Sequence, residues 1–238
     1  MSRLLLLSNS VNPHGRYLRH TREAIARVLS PAGREALLVP YAGVRIAWDD
    51  YHRRVADALA PMGIRVRSIH HARDPRRAVE RCSAVLVGGG NTWQLLDLLQ
   101  RHDLLTAIRE RVASGAPYLG WSAGSNVACP TIRTTNDMPI VAPRSLRALG
   151  LVSFQINPHY TEARLRNHGG ETRVDRLREF CTANPTMPVV ALREGSWLEV
   201  TAGAAILGGP KRALVYLGES RRSVSPGEAV IGPERSNG

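Results

Sequence analysis

The chain has 238 residues, 43% hydrophobic and 22% charged, which is enough apolar side chain to bury a sizeable core without disulfides or a structural metal. Its 21 Gly and 15 Pro are near average usage and no stretch is repetitive or Ser/Gln-rich, excluding a collagen-like chain, a repeat array and a disordered tether. The formal charge of +12 raises a nucleic-acid reading, but the pairs Arg53-Arg54, Arg76-Arg77 and Arg221-Arg222 are scattered among Asp and Glu, so solvated helix faces are expected rather than a binding stripe, with a general attraction for acidic ligands left open.

The first apolar run, residues 3–8, reads as a strand, and because Leu4–Leu7 give way to Ser8-Asn9-Ser10 it is too short for the apolar region of an export signal. A helical pattern follows over residues 17–29, then a strand at 35–40, a helix at 48–60 and a strand at 64–68. Next come a helix at 75–81, a strand at 83–87, two helices within 92–114 broken near His102, and a strand at 117–120. Strand alternating with helix predicts an α/β fold, a mostly parallel sheet with helices on both faces. The second half is less regular: a short strand at 154–156, a helix at 171–181, and β-type runs at 189–191, 197–200, 204–207 and 213–217. Turn signals at Ala202-Gly203 and Gly208-Gly209-Pro210 predict extra β-hairpins there, and residues 232–238 are expected to fray. No linker divides the chain, so one domain spanning 1–238 is expected. No apolar run approaches the roughly 18 residues needed to span a bilayer. Cys82, Cys129 and Cys181 form no C-x-x-C pair, which fits a cytoplasmic protein with neither disulfides nor bound zinc.

In open α/β sheets ligands gather at the carboxyl ends of the strands, and two glycine-rich segments stand there. Gly120-Trp121-Ser122-Ala123-Gly124 fits a nucleophile elbow, G-x-S-x-G, in which a strained strand-to-helix turn lifts a serine hydroxyl above the sheet. A plain glycine-bounded turn would carry the same pattern. Gly88-Gly89-Gly90-Asn91-Thr92 lacks the third glycine of a dinucleotide fingerprint and the G-K-[ST] of a P-loop. It can present bare backbone N–H groups to an oxyanion, or merely turn the chain into a helix capped by Asn91 or Thr92.

A serine nucleophile needs a base, and His159 is the candidate because Asn157-Pro158-His159 follows the 154–156 strand, whereas His14, His20, His52, His70, His71, His102 and His168 sit in charged helical or loop stretches. His70-His71 has only Asp74 at a plausible ligand spacing, so no metal is expected there. The carboxylate that orients the imidazole is either Asp137, fifteen residues past the serine (137 − 122), or Glu194, at the end of the 189–191 run. Spacing leaves both open.

The elbow and its flanks, residues 120–139, resemble the peptidase E family of cytoplasmic α-aspartyl dipeptidases. The likeness continues in order through Leu4–Ser10, Tyr41–Val44, Trp48–Tyr51, Gly88–Thr92, Ile156–His159, Gly170–Arg173, Glu194–Trp197 and Leu207–Pro210. The resemblance implies a flavodoxin-like scaffold, similar to class I glutamine amidotransferases but with serine in place of cysteine, that removes N-terminal aspartate from Asp-Xaa dipeptides without a cofactor. It places the nucleophile on Ser122, the histidine on His159 and the acid on Asp137, with Glu194 also proposed as the histidine's partner. Gly89, Gly90 and Ala123 become the implied oxyanion donors. Selecting an aspartyl side chain requires a cation or donor set, for which Arg133, eleven residues past the serine (133 − 122), with Asn91 assisting, is the candidate.

Trp93 and Ser125 depart from the family pattern and are expected to reshape the pocket wall. The expected partner is a small peptide, with neither nucleic acid nor membrane, and the protein acts as a monomer or homodimer. Two rival readings share the scaffold: a cyanophycinase-like hydrolase of different selectivity, and a non-catalytic ligand- or nucleic-acid-binding protein.

Overall fold

Leu4, Leu5, Leu6 and Leu7 are each at most 1% exposed, and since successive strand residues face opposite sides of a sheet, β1 (Arg3–Leu7) must be covered on both faces. The computed structural model, which describes residues 2–30, 33, 35–164 and 169–232, shows how. His168 and the tail expected to fray beyond residue 232 lie outside the described residues. Parallel to β1 run β5 (Tyr118–Trp121), β4 (Val85–Val87), β2 (Glu35–Val39) and β3 (Arg65–Ser68), in that order. One face packs Leu4, Leu6, Val85 and Val87 against α4 (Thr92–Arg101) and α5 (Leu104–Ala113) through Leu95, Leu99 and Ile108. The other packs Leu5, Leu7, Leu38 and Leu86 against α1 (Arg22–Leu29) and α2 (Trp48–Leu59) through Ile25, Val55 and Leu59. Helix α3 (Pro75–Arg81) adds Val79 to the first face.

The sheet continues beyond β1 with antiparallel β8 (Trp197–Thr201), β9 (Ala204–Gly208) and β12 (Ala229–Ile231), making eight strands. A second sheet has the order β11 (Ser220–Val224), β10 (Ala213–Leu217), β7 (Val189–Ala191), β6 (Gln155–Asn157), with β6 and β7 parallel. Ile156, Val190 and Val215 join the same apolar cluster as Leu4 and Leu6, so this sheet shares the main core. Helix α7 (Arg173–Ala183) packs on its other side through Leu177 and Cys181, its start set by a reciprocal capping box between Thr172 and Asp175.

The predicted Ala202-Gly203 hairpin joins β8 to β9. Gly208-Gly209-Pro210 does not make a hairpin: β9 stays in the large sheet, whereas β10, buried from Ala213 to Tyr216, pairs with β7 in the second. The helix expected over 17–29 is shorter, because Leu18 takes a left-handed conformation (φ 55°) and Arg19–Thr21 form one 3-10 turn before α1. Among the described residues no helix is long and apolar enough to cross a membrane.

Candidate active site

Ser122 links β5 to α6 (Ala123–Ala128) at φ 52° and ψ −109°, a backbone region that a side-chain-bearing residue occupies only at a cost of about 1–3 kcal/mol. Its N–H donates to Leu7 O at 3.1 Å, while Ser125, wholly buried, donates its hydroxyl to Leu7 O (2.7 Å) and Gly120 O (3.0 Å). The turn is thereby fastened to the central strand β1. A Cβ on Gly124 would lie 2.1 Å from Val87 O, so only glycine lets α6 pass this close to β4. This contact is the physical reason for the second glycine of the elbow.

His159 follows β6 at φ 55°, and its Nε2 stands 2.8 Å from Ser122 Oγ. Its Nδ1 lies 2.7 Å from Glu194 Oε1. An ionised carboxylate only accepts, so Nδ1–H donates to Glu194 and the Nε2 lone pair faces the serine hydroxyl. Two polar residues that end β1 organise both loops. Ser8 Oγ accepts the His159 N–H (2.9 Å) and donates to Leu192 O (2.8 Å); Asn9 Oδ1 accepts the Gly195 N–H (2.8 Å). Arg173 donates to His159 O at 2.7 Å; its partial burial, then repulsion from Arg176, lowers its pKa, while Glu194 and Asp137 oppose that shift. Reasoning from the residues alone overlooked Ser8, Asn9 and Arg173. Their signal was a polar pair directly after a buried parallel strand, and an arginine within the Gly170–Arg173 likeness.

Beside Ser122 lies the glycine strip. Tyr51 donates its hydroxyl to Gly89 O (2.8 Å) and accepts from Trp121 Nε1 (3.1 Å). Burial pushes the Tyr51 hydroxyl well above the ordinary tyrosine range, so it remains a donor. Gly90, at φ 140°, leaves no room for a Cβ, which would lie 2.1 Å from Ala42 O. Gly88 N and Asn91 N donate to Val39 O and Ala42 O, whereas among the described residues the Gly89 and Gly90 N–H groups meet no backbone carbonyl. Ala123 N–H, at the first position of α6, has no partner within its helix.

Asp137 does not reach His159. Its Oδ2 accepts from Thr92 N (2.8 Å), from the Thr92 hydroxyl and from Thr135 Oγ1 (3.1 Å), so it anchors the start of α4. Asn91 is the N-cap of that helix, accepting from Gln94 N at 3.0 Å and donating to Met138 O at 2.8 Å. Asp137→Ala removes three acceptor contacts and is expected to cost about 2 kcal/mol of stability. It should lower kcat less than Glu194→Gln does; thermal unfolding and kcat on the same preparations check both.

Ser122 and His159 open into a cleft of about 1360 Å³ that also contains Gly89, Gly90, Asn91 and Asp137. Its lining also carries Arg45, Arg53 and Arg54 together with Asp50 and Asp57, none of which stood among the site residues expected from the sequence. Arg53 pairs with Asp50 (2.8 Å), and Arg54 stacks over Tyr17 at 5.9 Å. Arg133 is not brought to this cleft: it is exposed and its guanidinium lies over the Phe180 ring, 5.2 Å from its centre. Neither Trp93 nor Ser125 forms the cleft wall. Trp93 Nε1 donates to Asp137 O (3.1 Å), and Ser125 lies beneath the elbow.

Comparison with known proteins shows the family to which this fold belongs. Peptidase E of Salmonella paratyphi A is 49% identical over 213 residues, covering 90% of this chain and 93% of that one; Peptidase E of Salmonella typhimurium is 48% identical with the same coverage. Among solved structures, a peptidase from an acI-B1 Actinobacterium superposes with a TM-score of 0.72 at 15% identity, covering 98% of this chain and 97% of its own. A Listeria monocytogenes EGD-e protein described as a candidate peptidase E gives 0.62 at 20% identity, covering 94% of this chain and 98% of its own. At those identities the structures establish the α/β fold. The profile of peptidase family S51 matches residues 4–208, and the chain belongs to that family of serine-type peptidases.

Proposed function

We propose that the chain is a dipeptidase releasing aspartate from Asp-Xaa dipeptides in the cytoplasm. The observation that carries this reading is the Glu194–His159–Ser122 hydrogen-bonded chain opening into a cleft whose lining includes Arg45 and Arg54. His159 Nε2 takes the hydroxyl proton as Ser122 Oγ bonds to the carbonyl carbon of the aspartyl residue. The N–H groups of Gly89, Gly90 and Ala123 hold the oxyanion, and each such donor is worth about 100- to 1,000-fold in rate. The C–N bond then breaks, and His159 returns the proton to the leaving amine. Water, deprotonated by the same nitrogen, attacks the aspartyl ester and frees Ser122 and aspartate. Arg45 and Arg54 stand in place of Arg133 as the cations that would meet the aspartyl carboxylate, in a lining that also carries Asp50, Asp57 and Asp137.

The test is hydrolysis of Asp-Leu beside Glu-Leu, Asn-Leu, Ala-Leu and β-Asp-Arg. Asp-Leu is expected to exceed Asn-Leu in kcat/KM by at least about 100-fold, because the neutral analogue leaves charge-assisted contacts unmade. Comparable turnover of Ala-Leu would overturn the aspartate selectivity, and preference for β-Asp-Arg would favour the cyanophycinase-like reading.

A further inference from the structure

His70 and His71 have their carboxylate partner, but it is not Asp74. Asp74 caps α3 by accepting from Arg77 N at 3.0 Å, and the imidazoles converge on Asp49, in the first turn of α2. His70 Nε2 lies 3.0 Å and His71 Nε2 2.6 Å from Asp49 Oδ1. The ligand atoms of the three residues all fall within 4.8 Å of one another, and none of the three lines the Ser122 cleft.

The cluster has the surroundings of a built site. His70 is held in place: its Nδ1 shares a hydrogen bond with Ser68 Oγ at 2.7 Å, its ring meets Trp48 edge-on at 5.7 Å, and its side chain is only 12% exposed. When the Ser68 oxygen accepts from Nδ1–H, Nε2 presents a lone pair, the tautomer a metal requires. The ring centres of His70 and His71 are 4.0 Å apart, and His52 flanks His71 at 5.5 Å. A tetrahedral zinc ion with bonds of about 2.0–2.1 Å separates its ligand atoms by about 3.3 Å. The His70–Asp49 distance is close to that already. The His71–Asp49 distance must widen by about 0.7 Å, which two largely exposed side chains can accommodate.

We propose that Asp49, His70 and His71 bind a divalent cation of the zinc class, leaving the remaining coordination positions to water. Two imidazoles and one carboxylate suit zinc rather than magnesium or calcium, which favour all-oxygen shells. A bound ion would tie the start of α2 to the turn that follows β3, 21 and 22 residues further along the chain.

The test uses tag-free full-length protein, Zn²⁺ titration by calorimetry and Co²⁺ as a spectroscopic probe. Wild type is expected to bind one equivalent of Zn²⁺, to give visible Co²⁺ ligand-field bands and to melt at a higher temperature with metal. Asp49→Asn and His71→Ala, both at exposed side chains, should each weaken that site by at least about 100-fold, beyond the usual effect of losing an outer-shell partner. Absence of stoichiometric binding by wild type would overturn the proposal. So would retention of the same equivalent in both variants, which would place the metal elsewhere, including at His159 and Glu194.

Discussion

Ser122→Ala and Ser122→Gly are both expected to lose turnover by about 10⁶-fold, yet the glycine variant should be the more stable of the two. In ordinary positions the order is reversed, since glycine gains more conformational entropy on unfolding, by about 0.5–1 kcal/mol. At φ 52° and ψ −109° the balance changes. Alanine retains the strain of roughly 1–3 kcal/mol, whereas glycine, lacking a Cβ, relieves it. The net expectation is about 1 kcal/mol in favour of glycine, or about 2–4 °C in Tm for a chain of this size. An alanine variant more stable than the glycine variant by the ordinary amount of about 0.5–1 kcal/mol would show that the elbow holds no strain.

Glu194→Gln is expected to lower kcat by about 10²- to 10⁴-fold with little change in KM. A glutamine that presents its amide nitrogen to Nδ1 forces the proton onto Nε2, where it can no longer accept from Ser122. One that presents its oxygen keeps the tautomer but loses the charge that steadies the imidazolium. Either way the loss falls in the transition state rather than in binding. Because the Glu194 side chain is 45% exposed, water offsets part of the lost charge, which places the lower bound at about 100-fold. Unchanged kcat in this variant, together with a large fall in Asp137→Ala, would reassign the acid to Asp137.

Much of the scaffold was legible because β1, β4 and β5 are short continuous apolar runs, the mark of strands buried on both faces, each followed by glycine or polar residues at a parallel strand's carboxyl end. Strand β11 was not, because Ser-Arg-Arg-Ser-Val at a sheet edge shows no apolar alternation and is recognisable only from its pairing with β10. The choice between Asp137 and Glu194 turns on long-range pairing. Parallel β6 and β7, in register at Asn157 and Ala191, bring the His159 and Glu194 loops together. Asp137 is drawn instead to Thr92, at the start of α4. Arg133 lies outside the Ser122 cleft for a similar reason: its guanidinium sits over the Phe180 ring on α7, a contact that no local pattern encodes. Of the cleft arginines, Arg53 and Arg54 lie on α2, within the helix expected over 48–60, and Arg45 just before it; that helical pattern announced a solvated face and gave no sign of Ser122.

Whether Ser122 and His159 act as one unit is decided by kcat for Asp-Leu in Ser122→Ala, His159→Ala and the double variant, read as free aspartate released. A unit loses its function once, so the two single variants and the double variant are expected to share nearly the same residual rate. Losses that multiply in the double variant, or either single variant turning over within about tenfold of wild type, would contradict it.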